Sequence, residues 1–115
     1  MTLRAEAAAR GAYVDALLAL YRAAPGTLGH VRKGDVRRAR DLHDRGVSLQ
    51  VIEDAITVAL CRRLLHATPP AEPIRSLHYF VGVVDEILSG TLDPGYVHYL
   101  RGCLARHLGP SAAPP

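Results

Sequence analysis

The stretch Leu49-Gln-Val-Ile-Glu-Asp-Ala-Ile-Thr-Val-Ala-Leu-Cys-Arg-Arg-Leu-Leu-His66 decides the fold. Ile52, Ala55, Ile56, Ala59, Leu60, Arg63 and Leu64 recur at steps of three and four residues, the period of an α-helix. Leu49, Val51, Val58 and Cys61 make the flanks of that stripe apolar too. A helix that is apolar almost all round must be enclosed by others, so the spacing predicts a central helix with helical neighbours. Ser48 stands where a hydroxyl caps the first turn, and Gly46 stands where the preceding helix needs a left-handed end.

Upstream of the central helix, Val36, Ala39, Leu42 and His43 mark one side of a helix running from about Lys33 or Asp35 to Arg45. A first helix is expected from Leu3 to Arg22, followed by a loop over Ala24 to His30 that holds Pro25, Gly26 and Gly29. Downstream, Thr68, Pro69, Pro70 and Pro73 form a stiff connection that cannot be helical in its middle. Ile74, Leu77, Phe80, Val81, Val84, Ile87 and Leu88 then predict a fourth helix from Ile74 or Ser76 to Leu88, stopped by Ser89 and Gly90. Asp93 before Pro94 is a cap and first-turn pair for a fifth helix reaching Leu108. The expected fold is all-α, a compact bundle of four to five helices with helices two and four flanking helix three. Residues 1–108 read as one domain and 109–115 as a flexible tail. Strand alternation and hairpin dipeptides are missing from the sequence.

Composition agrees with a folded helical chain. Hydrophobic residues make up 49% of 115 and charged ones 22%, and a chain of this length removes roughly two thirds of its surface from water on folding. The longest apolar run, Ile56 to Cys61, is far short of the ~20 residues that cross a bilayer. Residues 1–21 lack the layout of a signal peptide, so a cytoplasmic protein without membrane contact is expected. Cys61 and Cys103 are far apart in apolar helical contexts and read as reduced, buried thiols.

The net charge of +3 is confined to one place. His30 to Arg45 holds six cations against Asp35, Asp41 and Asp44, and the rest of the chain holds eight charges of each sign. Arginine's planar fork suits phosphate oxygens, which makes Arg32, Lys33, Arg37, Arg38 and Arg45 candidate nucleic-acid contacts, with Arg62 and Arg63 as an extension. Against that, Arg37 with Asp41, Arg40 with Asp44 and Asp41 with Arg45 have the i, i+4 spacing of helix-surface ion pairs. The turn Arg45-Gly-Val-Ser48 between two helices also imitates a helix-turn-helix, although Glu53 and Asp54 on the would-be reading helix would face phosphates.

Catalytic patterns are missing. Gly29 to Gly34 copies the glycine spacing of a phosphate loop, but Asp35 and Val36 replace its Lys and Ser or Thr. Cys103 and His107 have a chelating spacing without a second ligand pair nearby, and Asp85 and Glu86, being adjacent, point to different sides of a helix. A non-catalytic protein with no metal and no cofactor is expected.

The segment Leu28 to Leu88, about half the chain, carries Ala39-Arg-Asp-Leu-His-Asp-Arg-Gly-Val-Ser48, then Ala55-Ile56, Arg62-Arg63 and Pro73-Ile-Arg-Ser-Leu-His-Tyr-Phe80. It resembles small bacterial proteins with a Pro-Ile-Arg-Ser-Leu-x-Tyr-Phe signature that are associated with mobile elements. It is also loosely similar to the C-terminal helical domain of DnaD-type primosomal proteins, with Tyr79 at the position of that family's tyrosine. The chain departs from that family in having no tryptophan, and the family's separate oligomerising domain is not expected in it. The resemblance implies DNA binding in mobile-element replication or recombination. The residues leave open a protein-interaction adaptor or homodimer that buries a face of helix one or five. Independently of family, Ile74, Leu77 and Phe80 read as packing residues and Arg75 and His78 as the polar side of a docking element for helix four.

Overall fold

Burial of α3 (Leu49–Leu64) organises the molecule: Ile52 and every residue from Ala55 to Cys61 are removed from solvent. The computed structural model describes residues 2–65 and 72–108. Around α3 pack α1 (Thr2–Ala23), α4 (His78–Leu88) and α5 (Pro94–Leu108). The described residues thus form an all-α bundle of five helices without a strand. The Thr68, Pro69 and Pro70 connection, His66 and the 109–115 tail lie outside the described residues.

α2 (Lys33–Asp44) does not flank α3 as expected; it lies chiefly against α1. Its inward stripe is thin, with only Asp35, Ala39 and Leu42 buried, which suits a helix covering one neighbour. Tyr13 of α1 holds the pair together, its ring edge 5.2 Å from His43 and its hydroxyl donating to the Val47 carbonyl at 2.7 Å. Between the layers, Tyr21 and Phe80 meet edge to face at 6.1 Å, both fully buried. Such a pair contributes on the order of 1 kcal/mol beyond the area it hides.

Local stop and start signals act as the sequence predicts. The Ser48 hydroxyl accepts from the Val51 N–H at 3.2 Å, the Asp93 carboxylate from the Tyr96 N–H at 3.2 Å, and Gly46 takes a φ of +76°. The fourth helix starts later than expected, at His78 rather than Ile74 or Ser76, because the preceding backbone is engaged elsewhere. The Ile74 N–H donates to the Gly26 carbonyl at 2.6 Å and the Ile74 carbonyl accepts from Leu28 at 3.1 Å, an isolated bridge to the α1–α2 loop. Ile74, Leu77 and Phe80 fill the core while Arg75, His78 and Tyr79 stay exposed, so this segment docks α4 as its sequence suggested.

Asp35 joins these parts. It is 2% exposed; Oδ2 accepts from the Arg32 N–H and Oδ1 from the Leu77 N–H, both at 2.9 Å. One carboxylate thus caps the start of α2, where the helix dipole favours a negative charge. The same carboxylate ties α2 to the residue before α4. The acid that spoiled the phosphate-loop pattern is a buried clamp.

Candidate nucleic-acid interface

The amphipathic packing of α2 fixes what it shows to solvent. With Asp35, Ala39 and Leu42 turned inward, Lys33, Arg37, Arg38 and Arg40 fall on the outer half of the helix and Arg32 stands exposed at its entrance. Arg37 and Arg38 border one surface hollow with Gly34 and Asp41. Among the described residues, Arg32, Lys33, Arg37, Arg38 and Arg40 form no ion pair: of the expected i, i+4 partners, Asp44 and Arg45 are bonded to other helices, and Asp41 pairs with neither Arg37 nor Arg45.

Asp44 binds Arg10 of α1 at 2.8 Å and its neighbour His43 at 3.0 Å instead of Arg40. The His43 hydrogen bond, with help from Arg10, holds its carboxyl below the usual aspartate range. Arg45 reaches across to Asp85 of α4 at 2.9 Å instead of to Asp41, and that hydrogen bond raises the guanidinium further above its ordinary value. With Asp35 buried and Asp44 taken by α1, Asp41 is the one α2 carboxylate left facing solvent unpaired among the described residues. The outer face is therefore more basic than the sequence count of six against three.

The remaining candidates are used by the fold. Arg62 makes a two-pronged contact with Glu86, Nη1 to Oε2 at 2.7 Å and Nη2 to Oε1 at 2.9 Å. Arg63 donates to the Glu72 carbonyl and its guanidinium lies 6.0 Å from the centre of the Tyr79 ring. The seven sequence candidates thus divide: Arg32, Lys33, Arg37 and Arg38 come together on α2 and its entrance, whereas Arg45, Arg62 and Arg63 serve contacts to α4 and its lead-in.

The helix-turn-helix reading fails on burial. A reading helix must stand proud of its domain, but α3 is enclosed by α1, α4 and α5. Gln50 and Arg101 both bond Asp54, at 3.0 and 2.5 Å.

Sequence reasoning missed Arg40 as a member of the free set, since its spacing to Asp44 suggested a pair. It also counted Asp35 only as one of the acids of the basic segment; the available signal for its capping role was its position in the first turn of a helix, where an acid reaches back to cap. Neither protein-family models, curated proteins nor solved structures match this chain.

Proposed function

We propose that this chain is a non-catalytic helical accessory protein that binds DNA through backbone phosphates, in the replication or recombination of mobile elements. The observation that carries the reading is the unpaired basic face of α2: Arg32, Lys33, Arg37 and Arg38, joined by Arg40, exposed and with no carboxylate partner among the described residues. Contacts of this kind position a protein on a duplex without reading its sequence. The partial likeness of Leu28 to Leu88 to mobile-element proteins suggests the biological setting.

Neutralised phosphates release counterions, so affinity falls with salt at about −0.9 in log–log slope per phosphate on duplex DNA. Five contacts give a slope of about −4.5, and Arg37→Glu with Arg38→Glu flattens it by about two. Fluorescence anisotropy with an arbitrary duplex across a salt series measures both. Failure to bind single- or double-stranded DNA at low salt sinks the reading.

The alternative, a protein-interaction adaptor or homodimer, draws on α5. Tyr96 and Tyr99 lie exposed and near-parallel there, ring centres 6.5 Å apart. It predicts a complex in sedimentation that the double reversal on α2 leaves intact.

A further inference from the structure

The chain contains only two cysteines, 42 positions apart, and the fold brings both to one crevice between the C-terminal ends of α3 and α5. Cys61, Leu64, Leu65, Cys103 and Leu104 line it, with about 10 Å³ of open space, room for roughly one water-sized molecule. The Cys61 thiol donates to the Leu100 carbonyl at 3.2 Å. In a helix that carbonyl points along the axis toward the next turn, where Cys103 stands three residues on. Both thiols are free, and Cys103 is half-buried rather than buried as its sequence context suggested.

The two sulfurs have different surroundings. Burial, and secondarily the neighbouring Cys103, pushes the Cys61 thiol up, and its hydrogen is committed to a carbonyl. Cys103 is an acceptor: Arg106 Nη2 donates to its sulfur at 3.3 Å, and the nearness of that sulfur raises the Tyr99 phenol above its usual range. A partly exposed sulfur beside a cation is the setting in which thiols react with oxidants. A protonated, enclosed thiol next to it is the partner that resolves the product.

We propose that Cys61 and Cys103 are a peroxide-reactive pair in which Cys103 is oxidised first and Cys61 closes the disulfide, stapling the end of α3 to α5. The Cys103 thiolate attacks one oxygen of hydrogen peroxide, the O–O bond breaks, and hydroxide leaves and is protonated to water. Cys103 is then a sulfenic acid. Cys61 sulfur attacks Cys103 sulfur, the S–O bond breaks, and the departing hydroxide takes the Cys61 proton. Two thiols are oxidised and one peroxide is reduced to two waters. The narrow crevice selects a small oxidant over a bulky disulfide such as oxidised glutathione.

The test is mild peroxide treatment of the reduced full chain, followed by alkylation, intact mass and peptide mapping. The expected product is a monomer about 2 Da lighter, with both thiols lost together and a Cys61–Cys103 peptide pair. Cys61→Ala should instead stop at an oxygen adduct on Cys103 that a cyclic 1,3-dione traps. Recovery of both thiols after treatment overturns the proposal. So does oxidation of Cys103 in the unaltered chain without the internal disulfide, or a product linked only between chains. The unaltered chain decides the matter by mapping alone, so the test survives even if the alanine variant folds poorly.

Discussion

The outer face of α2 and the seam between α3 and α4 hold the same residue type with opposite fates. On α2, Arg37 and Arg38 face solvent without a carboxylate; along the seam, Arg62 is gripped by Glu86 and the neighbouring Arg45 by Asp85. The acids that make the difference stand 24 and 40 positions away from their arginines. A local cluster of cations therefore says little about which of them can meet a ligand. What decides is which helix packs alongside and whether that helix brings acids to the contact. α4 brings Asp85 and Glu86, whereas the acids of α1, Glu6 and Asp15, make no ion pair with α2 among the described residues.

The most severe way to break this contrast is to remove the clamp that presents the free set. Asp35→Ala leaves the Arg32 and Leu77 N–H groups without their acceptor, the latter in a buried place. Losing a buried acceptor costs about 1–3 kcal/mol for each orphaned donor, so a loss of about 2–4 kcal/mol is expected in urea denaturation. An effect under about 0.5 kcal/mol would mean that the carboxylate does not tie α2 to the lead-in of α4. The charge reversal at Arg37 and Arg38 comes next: it changes the salt slope for DNA and leaves the denaturation midpoint nearly unmoved, because neither side chain has a partner to lose.

Those two effects separate what the sequence made legible from what it hid. The period of Ile52 to Leu64, the Ser48 and Asp93 caps and the Gly46 turn are decided within four residues, and all are in place. The basic segment itself was visible too, since charge is a property of composition. Hidden were the facts that depend on chain distant in sequence. Asp35 accepts from Leu77, 42 positions away; α4 starts late because the Ile74 backbone is bonded to the Gly26 to Leu28 loop; and α2 leans on α1 because its apolar stripe is too thin to need more. Helical spacing predicted the ion pairs wrongly for the same reason: i, i+4 pairs are weak, and partners on other helices, Arg10 for Asp44 and Asp85 for Arg45, displace two of the three.

Along the seam the effects should be smaller. The Arg62–Glu86 pair is exposed to about 48% and 36%, so Arg62→Ala costs up to about 1 kcal/mol. Its sign in pH is definite. The Arg62 hydrogen bonds hold the Glu86 carboxyl below the 4.5 of a free glutamate. Such a group adds stability above the unfolded value and loses it as pH falls through the lower folded one. The gap in denaturation midpoint between the unaltered chain and Arg62→Ala should therefore be full at neutral pH and close as the pH drops below about 4.5. A gap that persists in acid would assign the loss to packing of the arginine stem rather than to the charge.

The smallest effect tests the contrast most directly, because it tries to move one arginine from the paired set to the free set. Arg45 ends α2 on the side of Asp85, and the pair is about half exposed on both members, so breaking it should shift stability by less than denaturation resolves. Asp85→Asn removes the charge that holds Arg45 and keeps the shape of the side chain. If pairing is what withholds Arg45 from phosphate, the variant should bind DNA with a salt slope steeper by up to about one. Arg45→Ala in the unaltered background should leave the slope where it was. The opposite pattern, no change with Asp85→Asn and a flatter slope with Arg45→Ala, would mean that Arg45 meets phosphate despite its partner. The free set would then be defined by position along α2 rather than by the absence of a carboxylate, and the shape of the surface rather than ion pairing would decide which cations meet phosphate.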